Sequence, residues 1–188
     1  MTTDELVRYL PEHIKPLAEQ LRQFPTGYEK WVYATAAPPE TYQGDLFASV
    51  TIVSVDEDGD AILGTSAGMV ISNTCDAQPG MADFMLIAPV ISLADYRENS
   101  ALEGEKLENH ISALRDNRIS QLIFLPPRVG LAASFADLGN ICPISSTYFH
   151  SKHAQARLVS LSQYGHYFLL IKLAYHLTRP EPSDAKRT

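Results

Sequence analysis

The sequence predicts an α+β fold, a small antiparallel β-barrel with an N-terminal helix and a long C-terminal helix. Three observations lead there. Leu6, Leu10, Ile14, Leu17, Leu21 and Phe24 recur at three- and four-residue steps and make one apolar stripe along residues 3–24. The middle of the chain holds several short apolar runs separated by tight-turn residues, the pattern of sequential antiparallel strands. Toward the other end, Leu158, Leu161, Tyr164, Phe168, Ile171, Ala174 and Tyr175 define the buried face of a helix expected over 154–178.

At 188 residues the chain suits one domain, with a helical arm at 3–24, a barrel over 44–144 and the closing helix. Hydrophobic residues make up 45% and charged residues 20%, so a packed core is expected. The formal net charge of -7 argues against a protein that coats phosphate backbones, while leaving room for a local basic patch. Cys75 and Cys142 are too few for a disulfide framework. The opening residues carry Asp4 and Glu5 where a secretory signal would be basic, and no apolar run approaches the ~20 residues of a membrane span. A reduced, cytoplasmic protein without a membrane partner is expected.

Along the chain, Pro11 and Pro16 divide or kink the first helix, and Phe24-Pro25-Thr26-Gly27 ends it. Residues 28–43 read as a linker whose Trp31 packs on the domain that follows. Leu46, Ala48, Val50, Ile52 and Val55 lie in a β-rich run stopped by Asp56-Glu57-Asp58-Gly59-Asp60, which has the chemistry of a hairpin turn. The return strand begins at Ala61, Gly64 to Gly68 reads as a bend, and Gly68-Met69-Val70-Ile71-Ser72 as a further strand. Residues 84–93 are almost continuously apolar, as in a strand buried on both faces. Residues 102–118 read as a helix with Leu107, Ile111 and Leu114 on one side. Leu122 to Leu125 is a strand stopped by Pro126-Pro127, and 137–144 is a short strand region.

The densest polar cluster after a buried strand is Ser72-Asn73-Thr74-Cys75-Asp76, where a rigid scaffold would present functional groups. Cys75 is a candidate nucleophile if a histidine approaches it, with Asp76 as base or as the group that holds that histidine. The competing reading gives Asn73 and Asp76 to turn bonds and buries Cys75. His150 and His153 stand three apart near the start of the closing helix. With Cys75 and Cys142 they match no standard metal-ligand spacing, so no metal or other cofactor is expected. The acids from Asp56 to Asp60 lack the later glutamate of a calcium loop. Arg118, Arg128, Lys152 and Arg157 are the nearest approach to a basic patch. Phosphate-loop, dinucleotide and nucleophile-elbow spacings are absent.

Gly44-Asp45 entering a strand, Val70-Ile71-Ser72-Asn73 at a strand end, and Ala88-Pro89-Val90-Ile91-Ser92 followed by a closing helix resemble the PemK/MazF-like toxin family. The resemblance covers 44–93 and implies an SH3-like barrel, endoribonuclease activity within a toxin–antitoxin system and homodimerisation. It places the family's arginine near Ser66 or Ala67 and its threonine on Ile91, with Ser92 retained beside it. A ribonuclease needs a cation near the scissile phosphate. Three functions follow as expectations. The first is a catalytically degenerate barrel that binds a protein or RNA partner through Ser72, Asn73, Thr74, Ser92, His150 and Arg157. The second is a nuclease whose catalytic groups have moved to Asp76, Arg128 or His150. The third is a Cys75-dependent enzyme.

Overall fold

A computed structural model describes residues 28–37 and 39–177. The expected helix of residues 3–24 lies outside the described residues. Seven strands make one antiparallel sheet: β1 (Leu46–Val55), β2 (Ala61–Val70), β3 (Phe84–Ser92), β4 (Leu122–Leu125), β5 (Ser134–Asp137), β6 (Cys142–Ser145) and β7 (Arg157–Val159). Their order is β4-β5-β3-β2-β1-β7, with β6 also paired to β3. The helices are α1 (Leu93–Asn99), α2 (Gly104–Arg115), α3 (Ser146–Lys152) and α4 (Gln163–Leu177), preceded by a single helical turn at Tyr28–Trp31. The class is α+β. The sheet is not closed as a barrel, because β4 and β7 form its two ends and do not pair with each other.

The hairpin expected at Asp56–Asp60 forms as its chemistry dictates. The Asp56 carboxylate accepts from the amides of Asp58 and Asp60, and Gly59 takes the left-handed conformation at φ 89°. The bend expected at Gly64–Gly68 is absent, and β2 runs unbroken from Ala61 to Val70. Ladder pairing with β1 holds those small residues extended. The irregularity falls in β1 instead, where the register shifts between Phe47 and Val50 and Ser49 has φ 53°.

Strand alternation sends side chains into two separate cores. Leu46, Met69, Ala88 and Val90 point to a core shared with α2, β4 and α4 through Leu114, Ile123, Phe168 and Leu169. Phe47, Val50, Val70, Met85 and Ile87 point to a second core, covered by Ile144 of β6 and Phe149 of α3. There the Phe47 and Phe149 rings meet edge to face with centroids 4.9 Å apart. β5 and β6 both pair with β3, end to end, and are separated by a 3-10 turn at Leu138–Asn140. The region read as a single strand at 137–144 is therefore two strands and a turn.

Three further expectations are corrected. The closing helix begins at Gln163 and not at residue 154, because the preceding residues are drawn into the sheet as β7 opposite Leu46 and Phe47. Trp31 is 63% exposed, and its neighbour Val32 is the residue that enters the core. Strand β3 is buried at Met85 and from Ile87 to Val90 but exposes Phe84 and Leu86.

Helix α4 carries a lysine with no exposed surface. The Lys172 amine donates to the backbone carbonyls of Asn117 (2.9 Å) and Ile119 (2.5 Å), just past the end of α2. Asn117 itself has φ 52°, and its side-chain oxygen accepts from the Phe124 amide at 2.8 Å. Lys172 thus ties α4 to the turn that launches β4. Burial pushes its pKa down to about 7 from the ordinary 10.5. Between those values the unfolded chain keeps the proton that the native state has released, so stability rises with pH. Urea unfolding of the wild-type chain should show stability climbing by about 1 kcal/mol per unit from pH 7 to 9, and Lys172→Met should lose that climb.

Candidate functional site

The segment from Thr41 to Asp45, which feeds β1, lies between the loop after β2 and the start of α4. Gly44 adopts φ 90°, and a Cβ there would meet Leu161 Cδ1 at 2.4 Å. Only glycine lets the chain turn so close to that leucine. On the opposite flank Gly165 lies against the Val32 carbonyl, where a Cβ would sit 2.2 Å from the oxygen. Both glycines bring backbone to the head of α4, which Ser162 caps by accepting from the Gly165 amide at 3.1 Å while its hydroxyl donates to the Trp31 carbonyl.

Asp45 is the buried charge of this region. Its Oδ2 accepts from the Tyr42 amide at 2.9 Å and faces Arg157 Nε at 3.3 Å, with the two side chains 1% and 14% exposed. Burial raises the Asp45 pKa, opposed by the Tyr42 amide, the Ser160 hydroxyl and the Arg157 charge. Arg157 also donates from Nη2 to the Glu40 carbonyl at 2.6 Å and lies over the Phe47 ring, 5.5 Å from its centroid.

Beside this pair runs a relay of neutral groups. Gln43 donates from its side-chain amide to the Ile71 carbonyl at 2.6 Å. A carbonyl only accepts, so the other end of that amide, Oε1, is the oxygen turned toward His166, 3.1 Å from Nε2. His166 therefore carries its proton on Nε2. Burial lowers its pKa, so the ring is neutral at pH 7. The Gln43 backbone N–H donates to Thr74 Oγ1 at 3.3 Å, and the Gln78 side chain bridges the carbonyls of Thr41 (2.6 Å) and Thr74 (2.7 Å).

Two clefts flank the segment. One, of about 400 Å³, is lined by Tyr42, Gln43, Asp45, Thr74, Ser160 and His166 among others. The other, of about 660 Å³, includes Thr41, Gln78, His150 and Arg157 in its lining. Sequence reasoning named Thr74, His150 and Arg157, which the fold brings to these clefts. It missed Gln43 and His166, which no motif marks, and gave Asp45 only a place in a strand opening.

The remaining candidates line neither cleft. Ser72 Oγ accepts from the Leu86 amide at 2.8 Å and fastens the loop to β3. Asn73 and Asp76 bond each other, Asn73 Nδ2 to Asp76 Oδ2 at 2.7 Å and the Asp76 amide to Asn73 Oδ1 at 3.0 Å. Cys75 is exposed at the turn, so the burial considered for it does not occur. The imidazole of His150 is turned to the Ala77 carbonyl at 3.1 Å. Ser92 caps α1 through the Asp95 amide at 3.0 Å. Arg128 stacks on Tyr33, 5.5 Å from the ring centroid, and Arg118 pairs with Asp116 at 3.1 Å. His153, expected at an exposed helix start, is buried at the end of α3 against Tyr148 and Phe149, and burial lowers its pKa. No group of three or more metal-ligating side chains occurs among the described residues. Compared with family models and with curated proteins, the chain matches none.

The Asp45–Arg157 pair gives a direct test of how the site is held. Removing one partner from a buried pair leaves the other charge uncompensated, at a cost of about 3 kcal/mol. Arg157→Met should lower unfolding stability by that order in urea titrations. The double variant Asp45→Asn/Arg157→Met should recover part of the loss.

Proposed function

We propose that the chain is a binding module, a PemK/MazF-like relative with an SH3-like sheet that has lost the charges of catalysis and keeps a recognition cleft. The observation that carries this reading is the neutral relay from Ile71 through Gln43 to His166, which brings imidazole and carboxamide groups to the smaller cleft, whose one carboxylate, Asp45, is buried and paired with Arg157. Such a lining suits an uncharged polar group able to donate and accept hydrogen bonds. Arg157, the cation of the larger cleft, is engaged by Asp45 and the Glu40 carbonyl, which leaves it poorly placed to hold a phosphate. The net charge of -7 points the same way and favours a protein partner over RNA. A homodimer in the cytoplasm belongs to the same proposal by analogy of fold alone.

A ribonuclease is the second reading, and one observation favours it: His150 and Arg157 line the same cleft. An imidazole and a guanidinium are the groups a phosphodiester cleavage would use. One assay separates the two. Purified protein incubated with labelled single-stranded RNA should leave it intact. Sustained cleavage that is lost on His150→Ala, Asp76→Ala or Arg128→Ala would overturn the binding reading. For the cleft itself, saturation-transfer NMR with small uncharged amides and nucleosides should give a signal that His166→Phe abolishes. Unchanged alkylation-sensitive behaviour in Cys75→Ser would remove the thiol-dependent alternative.

A further inference from the structure

The β1–β2 hairpin is used by neither cleft. β2 pairs with β3 only from Ala67 to Val70, so among the described residues the edge of β2 has no strand partner over residues 61–66. β1 meets β7 only at Leu46 and Phe47. The outer half of the hairpin therefore stands clear of the rest of the sheet. Val53 lies opposite Leu63 and Val55 opposite Ala61, which puts all four on one face. Val53, Val55 and Leu63 are 37%, 67% and 72% exposed, and Ile62 on the reverse face is 51% exposed.

Such an arm is unusual for a hairpin whose second strand, among the described residues, has no partner on its outer edge. A two-stranded ribbon is marginally stable by itself. Open edges are ordinarily guarded by lysine, proline or a bulge. Residues 61–66, Ala-Ile-Leu-Gly-Thr-Ser, contain no charge and no proline. At the tip stand Asp56, Glu57, Asp58 and Asp60, and no lysine, arginine or histidine lies between Thr51 and Ser66. Among the described residues no ion pair neutralises these acids.

We propose that this hairpin is a docking strand for a basic partner protein, in which an extended segment alternating apolar and lysine or arginine residues adds to the β2 edge. Main-chain hydrogen bonds along residues 61–66 provide the attachment, and the Val53–Val55–Leu63 face receives the alternate apolar side chains. The acidic tip selects for cations at one end of the added strand. That same tip opposes a nucleic acid, whose phosphates it repels. A second copy of this chain fits less well, since its own hairpin brings four more acids and no cation. The surface is independent of the His166 cleft and does not rest on the function proposed for it.

The test uses the full chain and a fluorescein-labelled octapeptide alternating valine and lysine, with an otherwise identical valine–glutamate peptide as control. Fluorescence anisotropy should show saturable binding of the lysine peptide at least about tenfold tighter than the control at low salt, weakening as salt rises. Amide hydrogen exchange at residues 61–66 should slow when the peptide is bound. Val53→Thr/Val55→Thr/Leu63→Thr should abolish the binding. Glu57→Gln/Asp58→Asn/Asp60→Asn, which leaves the strands untouched, should weaken it about tenfold. His166→Ala should bind as the wild type does. Equal binding of the two peptides, or binding lost in His166→Ala, would overturn the proposal. So would a concentration-dependent dimer in sedimentation that the threonine variant abolishes, because the occupant would then be a second copy.

Discussion

The ion pair of Asp45 and Arg157 is the constraint on which the arrangement around both clefts depends. It joins the first residue before β1 to the first residue of β7, two segments far apart in sequence that the sheet places side by side. Each partner also holds irregular backbone, Asp45 through the Tyr42 amide and Arg157 through the Glu40 carbonyl. The stretch between Glu40 and Asp45 would otherwise expose unpaired polar groups against the head of α4. With the pair in place that stretch becomes a fixed partition, with the His166 cleft on one side and the His150 cleft on the other.

Burying a carboxylate and a guanidinium together is costly, and the surroundings show how it is tolerated. The Tyr42 amide supports the charge of Asp45, while the Glu40 carbonyl accepts from Arg157 and the Phe47 ring offers it its face. Lys172 represents the opposite solution. It is buried without a carboxylate, bonded only to carbonyls, and its proton is held loosely as a result. The two sites divide the labour of α4 and its approach, one anchoring the head of the helix to the sheet and the other its body to the turn after α2.

Much of the sheet was legible in the sequence because strand periodicity and turn chemistry are local. Asp56 to Gly59 dictated the hairpin, and Leu122 to Leu125 stood out as an apolar run before two prolines. Residues 157–159 misled for the opposite reason. Leu158 falls on the helical stripe of α4 by spacing, yet pairing with Leu46 and Phe47 claims this stretch for the sheet. Tertiary context also decided Gly64 to Gly68, whose composition suggests a bend and whose ladder imposes a strand. The site was harder still. Gln43 and His166 are single residues 123 apart, joined only after folding, and nothing in either neighbourhood marks them as partners.

The end-to-end placement of β5 and β6 on β3 has a mechanical consequence. A single unbroken strand there would weld the two cores into one sheet edge. The 3-10 turn at Leu138–Asn140 interrupts that edge and leaves each half backed by its own apolar cluster, α2 and β4 behind one and α3 behind the other. The turn lets one stretch of chain serve both apolar clusters, Phe135 and Leu138 packing with the first and Ile144 with the second.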